Sequence, residues 1–135
     1  MNTTTIVVAD DDPPIRRLIA YALTRRGYEV LEAEDGEEAL ALIRRALPAL
    51  AVLDVMMPGM SGLQVTQALA QDAATAGIPV MIVSAKGQAA EVEAGLGSGA
   101  RAYMVKPFAP RELAARVAEL LTKEGAGDGS VAGNR

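Results

Sequence analysis

The sequence predicts an α/β domain built on a doubly wound, five-stranded parallel sheet. Three observations predict it. Short apolar runs alternate with helix-period segments five times. Strands separated by helices imply parallel pairing through right-handed crossovers. The polar residues that interrupt the pattern fall at the carboxyl ends of the apolar runs. Such a sheet is open and carries helices on both faces.

The elements follow in chain order. Ile6 to Ala9 is the first strand. From Pro14 to Arg26 a helix places Ile15, Leu18, Ile19, Ala22 and Leu23 on one face, and Gly27 stops it. Tyr28 to Ala33 alternates as a strand. Asp35-Gly36 punctuates, Glu37 to Leu47 is helical, and Pro48 ends it. Leu50 to Asp54 is the third strand, and Pro58 to Gly62 is a loop. Leu63 to Ala74 is a helix with Val65 and Leu69 inward. Ile78 to Ser84 is a buried strand rich in β-branched residues. A fourth helical segment spans Ala89 to Leu96 and is broken by Gly95, Gly97 and Gly99. Ala102 to Val105 is the last strand. Pro110 opens the final helix, whose inner face is Leu113, Val117, Leu120 and Leu121. One domain is expected over residues 1–123. Residues 124–135, with almost no apolar content, read as a flexible tail or linker.

Composition narrows the chemistry. The 135 residues are 50% hydrophobic and 22% charged, an ordinary globular balance. With no Cys, disulfides and thiol chemistry are excluded. With no His, the commonest general base and transition-metal ligand is missing as well. Any metal must then be held by oxygen, which points to Mg²⁺, Ca²⁺ or Mn²⁺. The net charge of −4 argues against direct nucleic-acid binding. No apolar run is long enough to cross a membrane, and the first residues lack the basic flank of a signal peptide. A cytoplasmic location is the expectation.

Asp10, Asp11 and Asp12 follow the first strand, Asp54 ends the third, Ser84 ends the fourth and Lys106 follows the fifth. A parallel sheet brings all of them to one edge, where open α/β sheets carry their ligand crevice. Three carboxylates there repel by about 1–4 kcal/mol per pair, and a hard divalent cation relieves this. Lys106 adds a mobile positive charge and Ser84 a hydroxyl donor. The set describes a pocket for a small dianion beside a nucleophilic carboxylate, the equipment of phosphoryl transfer.

Four segments carry a resemblance to a known family: IVVADDDPPIRRLI at 6–19, VLDVMMPGMSGLQV at 52–65, VSAK at 83–86 and YMVKPF at 103–108. Together they resemble the receiver domain of bacterial two-component response regulators, over about residues 5–122. The resemblance implies a flavodoxin-like (βα)5 fold with strand order 2-1-3-4-5. It implies that Asp54 is the phosphoacceptor, modified to an aspartyl phosphate, and that Mg²⁺ is the cofactor. Asp11 resembles the direct metal ligand, Asp10 the acid acting through metal-bound water, and the Met56 backbone carbonyl a third ligand. Ser84 and Lys106 resemble the groups that bind the phosphoryl oxygens. Ser84 and Tyr103 occupy the switch positions. The positions of Met56 and Lys86 tune dephosphorylation in this family. A cis bond before Pro107 is implied too. The implied partners are a sensor histidine kinase or histidine phosphotransfer protein, and a downstream effector protein or domain. From the net charge and the lack of a long apolar run, no binding of nucleic acid or membrane by the domain itself is expected. The implied change on phosphorylation is in the surface of the fourth helix, fifth strand and fifth helix.

Plainer readings accompany each residue. Three consecutive aspartates leave the register open by one, with Asp12 able to replace Asp10. The strand Ile6 to Ala9 favours the pair Asp10–Asp11 and leaves Asp12 to cap the next helix. Asp54 alone would read as a turn residue, Ser84 as a backbone hydrogen-bonder and Lys106 as a surface charge. Tyr103 reads equally as a half-buried sheet residue. Met56, Met57 and Met60 read as packing and loop contacts. The pairs Arg16-Arg17 and Arg25-Arg26 read as solvated helix faces. Two competing functions remain: a receiver-like scaffold acting without phosphorylation, and a small phosphohydrolase of the haloacid dehalogenase type using Asp10-x-Asp12. Multiple turnover is not expected of a receiver; it assists only its own phosphorylation and dephosphorylation.

Overall fold

Apolar runs with β-branched residues form the strands, and the segments between them fold back as helices. The computed structural model describes residues 3–85 and 99–126, with the backbone alone at 123–126. The described elements are β1 (Thr5–Ala9), α1 (Pro13–Arg25), β2 (Glu29–Ala33), α2 (Gly36–Ala46), β3 (Leu50–Asp54), α3 (Gly62–Ala70), β4 (Val80–Ser84), β5 (Ala102–Val105) and α4 (Pro110–Ala126). The five strands are parallel in the order β2-β1-β3-β4-β5. This is the flavodoxin-like arrangement that the resemblance implied. The expected helix at 89–96 lies outside the described residues, as do Lys86 and the segment 127–135.

Burial follows position in the sheet. The inner strands β3 and β4 are buried along their whole length, while the edge strands β2 and β5 are largely exposed or half-buried. Strand residues of opposite parity build two cores. Val7, Ala9, Leu53 and Ile82 pack with Leu40, Ile43, Val65 and Leu69 of α2 and α3. Ile6, Val8, Val52 and Met81 pack with Ile19 and Leu23 of α1 and Leu113 and Val117 of α4. Each large apolar side chain buried here contributes about 1.5–3 kcal/mol.

Local chemistry sets the helix ends. Gly27, at φ +96°, terminates α1, as its lack of a Cβ allows. The Asp35 side chain accepts the N–H of Glu38 to start α2. Leu47, left-handed at φ 47°, closes it ahead of Pro48. Ser61 and Gln64 form a reciprocal capping box on α3.

Three expectations are corrected. The α3 helix ends at Ala70, not Ala74. Asp72 accepts the Ala74 N–H, and the buried Thr75 hydroxyl donates to the Leu69 carbonyl, so local bonds replace the helical ladder. The buried face of α1 is Arg16, Ile19, Ala20 and Leu23, and Leu18 is 48% exposed. Arg16 is therefore not on a solvated face, whereas Arg17, Arg25 and Arg26 are. The last helix is described as far as Ala126. A helix already anchored by Leu113, Val117 and Leu120 extends cheaply by one bond per residue.

Candidate acidic site

The order β2-β1-β3 places the topological switch between β1 and β3. The chain leaves β1 toward α1 on one face of the sheet and leaves β3 toward α3 on the other, so a crevice opens above their carboxyl ends. Ala9 pairs with Leu53, so Asp10 and Asp54 emerge side by side. Oxygens of Asp10, Asp11 and Asp54 lie within 4.8 Å of one another. Asp10 is 1% exposed and Asp54 5%, whereas Asp11 faces solvent. Among the described residues Asp12 is not part of this group. It holds the N-cap position of α1 without a side-chain capping bond, and its own N–H donates to Asp10 Oδ1 at 2.9 Å.

Lys106 reaches the acids from the end of β5. Its Nζ lies 3.1 Å from Asp10 Oδ2 and 3.5 Å from Asp54 Oδ2. Its backbone N–H donates to the Ser84 carbonyl at 2.8 Å, which ties the β4 and β5 ends together. The Lys106–Pro107 bond is cis, as the resemblance implied. Burial pushes the Asp54 carboxyl up to about 6, the Asp10 charge adds to this, and Lys106 pulls against both. Burial also works against the Lys106 ammonium, but the bond to Asp10 and the Asp54 charge outweigh it and hold its pKa above the usual value.

Ser84 ends β4 one residue beyond Val83, the partner of Asp54. It is 1% exposed, and its Oγ has no hydrogen-bond partner among the described residues. A buried hydroxyl left unpaired is costly, so it marks a place where a polar group is wanted. Tyr103 sits on the edge strand, turned out and 49% exposed, and the Met56 side chain is exposed while Met57 is buried. The site thus gathers Asp10, Asp11, Asp54 and Lys106 in direct proximity. Ser84 stands on the same rim, and Tyr103 stands apart from it.

Two features were missed from the sequence. An ideal Cβ on Gly62 would lie 2.3 Å from the Asp54 carbonyl oxygen, and the Gly62 N–H donates to the Val55 carbonyl. The loop after β3 folds back so tightly that only glycine fits. The second is Arg16, whose Nη1 donates to the Asp10 carbonyl at 3.0 Å and whose Nε donates to Glu32 Oε1 at 2.9 Å. A signal for it existed: Arg16, Ile19, Ala20 and Leu23 match the i, i+3, i+4, i+7 template. The charge of Arg16 hid it, because burial of Arg is rare without partners.

The donor set suits a hard cation. All three acidic side chains offer oxygen, the site holds more negative charge than Lys106 neutralises, and no His or Cys exists to favour a softer metal. No described helix is long and apolar enough to cross a membrane.

Comparison with known proteins agrees with this geometry. Residues 6–118 match the model of the response regulator receiver domain family. The chain is 45% identical over 124 residues to the phosphate regulon transcriptional regulatory protein PhoB of Pseudomonas aeruginosa, covering 92% of this chain and 54% of that protein. It is 40% identical to the DNA-binding response regulator MtrA of Mycolicibacterium smegmatis, covering 83% and 48%. The chain therefore spans about half the length of these curated relatives. A putative response regulator of Chloroflexus aurantiacus superposes with a TM-score of 0.84 at 35% identity, covering 90% of this chain and 99% of that one. A CheY-like receiver domain protein of Methanospirillum hungatei superposes at 0.87 with 28% identity, covering 95% and 100%. On its fold, its rim of acids and these matches, the chain belongs to the response regulator receiver domain family of two-component signalling.

Proposed function

We propose that the chain is a phosphorylation-dependent signalling switch that accepts a phosphoryl group on Asp54. One observation carries the reading. Three carboxylates and one ammonium converge at the switch point of the sheet, with Lys106 shared between the buried Asp10 and Asp54.

A histidine kinase or phosphotransfer protein presents a phosphohistidine. A carboxylate oxygen of Asp54 attacks phosphorus in line, the P–N bond breaks, and the imidazole nitrogen leaves with the bonding pair. Lys106 binds one phosphoryl oxygen through its ammonium, and the Ser84 hydroxyl turns to donate to another. Asp10, Asp11, Asp54 and the Met56 carbonyl would hold Mg²⁺, which would supply positive charge against the crowded oxygens. Burial and the neighbouring Asp10 charge raise the pKa of Asp54, so a positive charge placed beside it would favour its ionised form.

The new charge pulls Ser84 toward the phosphoryl group. Tyr103, exposed in this structure, follows inward and shifts a two-state equilibrium. The surface around β5 and α4 is then read by an effector protein or domain; the expected helix at 89–96, implied to share in this change, lies outside the described residues. The chain acts in the cytoplasm, assists its own phosphorylation and dephosphorylation without turning over a separate substrate, and makes no contact with nucleic acid itself. The net charge of −4 supports the last point.

Incubation with Mg²⁺ and acetyl phosphate, followed by intact mass measurement, tests the reading. One added phosphoryl mass is expected, and none in Asp54→Asn. Uptake that persists in Asp54→Asn removes Asp54 from the role.

A further inference from the structure

We propose that Arg16 is a positioning residue for the Asp10–Asp11 arm of the acidic site, acting through the Asp10 carbonyl and anchored by Glu32. The inference rests on the proposed function, since it concerns how that site is held.

Arg16 lies in the inward stripe of α1 with Ile19, Ala20 and Leu23, and is 6% exposed. An aliphatic side chain would complete that stripe. Burying a guanidinium there is costly, and the cost is offset only by well-formed hydrogen bonds. Those bonds are specific. Nη1 donates to the Asp10 carbonyl and Nε to Glu32 Oε1, which joins the exit of β1 to the penultimate residue of β2. Arg17 lies 3.5 Å from the same Glu32 oxygen, but its side chain is 74% exposed.

The consequence reaches Asp11 through covalent geometry. The Asp10 carbonyl and the Asp11 N–H belong to one planar peptide. Pinning that carbonyl fixes the rotation before Asp11 and so the direction in which its carboxylate leaves the chain. Asp10 is held at its other polar atoms too. Its N–H donates to the Ala33 carbonyl, Oδ1 accepts from Asp12 and Oδ2 from Lys106. Arg16 closes the set. Its two donors point in different directions from one rigid plane, a geometry that a lysine cannot reproduce.

The test is Mg²⁺ titration by calorimetry on the intact chain, for wild type, Arg16→Lys, Arg16→Met and Glu32→Gln, with urea unfolding run beside it. Both Arg16 variants are expected to bind Mg²⁺ about 10- to 100-fold more weakly, the scale seen when groups orienting metal ligands are removed. Glu32→Gln keeps an acceptor for Nε, so only a few-fold loss is expected. Arg16→Lys keeps the charge and most of the volume, and it decides the matter if Arg16→Met fails to fold. A folded Arg16→Lys with wild-type Mg²⁺ affinity overturns the inference and leaves the proposed function standing. A wild-type chain that binds no Mg²⁺ overturns both.

Discussion

The ammonium of Lys106 lies 3.1 Å from Asp10 Oδ2 although 96 residues separate the two in sequence. It is also 3.5 Å from Asp54 Oδ2. One cation thus serves two buried carboxylates, and Asp11 adds a third acid at the rim. The resting site is short of positive charge, and its responses to mutation, pH and metal follow from that shortage.

Lys106→Met keeps the stem and removes the charge. Without divalent cation, stability at pH 7 is expected to fall by roughly 1–3 kcal/mol, because two buried acids lose their counter-charge. Mg²⁺ is expected to recover part of the loss. Urea unfolding with and without Mg²⁺ measures both, and an unchanged midpoint without metal would show that the pair contributes nothing.

The pKa of Asp54 sets a pH dependence whose sign is opposite to that of an ordinary salt-bridged aspartate. Burial and the Asp10 charge raise it from 3.8 to about 6, so the folded chain holds this proton more tightly than the unfolded chain. The stability from this group is fully present below about pH 4 and is lost as pH rises through about 6. Asp54→Asn should remove that component and leave the metal-free protein more stable at pH 7 by about 1–3 kcal/mol. Denaturation from pH 4 to 8 decides it; a wild-type and variant pair with parallel profiles would contradict the assignment.

At Gly62 a Cβ would lie 2.3 Å from the Asp54 carbonyl oxygen, so Gly62→Ala forces the loop away from β3. A loss of about 1–3 kcal/mol is expected, the range for overpacking a tight contact. Phosphoryl uptake from acetyl phosphate should slow in the folded fraction, because the displaced backbone carries Asp54. Normal uptake at reduced stability would separate the loop from the site.

Ser84→Ala is expected to behave in the opposite way. The Oγ makes no hydrogen bond among the described residues, so its removal should leave resting stability within about 0.5 kcal/mol or raise it slightly. The proposed role of the hydroxyl appears only once a phosphoryl group is present. The phosphorylated variant should therefore accumulate less at a fixed acetyl phosphate concentration. A large loss of resting stability would point to a structural role instead.

Much of this protein was legible along the chain. The alternation of apolar runs and helical stripes determined the parallel sheet, and Asp35, Pro48 and Gly27 marked helix boundaries where the structure has them. The resemblance implied the strand order, which the structure shares. Residue type and strand-end position together nominated Asp10, Asp11, Asp54, Ser84 and Lys106, because a parallel sheet gathers all its carboxyl ends on one edge.

Tertiary structure decided the rest. Whether Asp10 or Asp12 joins Asp54 depends on which way the chain turns after β1, and the Arg16 bond to the Asp10 carbonyl helps to hold that turn. That α3 ends at Ala70 depends on Thr75 folding back onto Leu69, a local competition that periodicity does not register. That Arg16 can be buried depends on Glu32, brought alongside from the neighbouring strand. Periodicity reports which face of an element is apolar, but the partner that lets a charge be buried lies elsewhere in the sequence and becomes its neighbour only when the sheet closes.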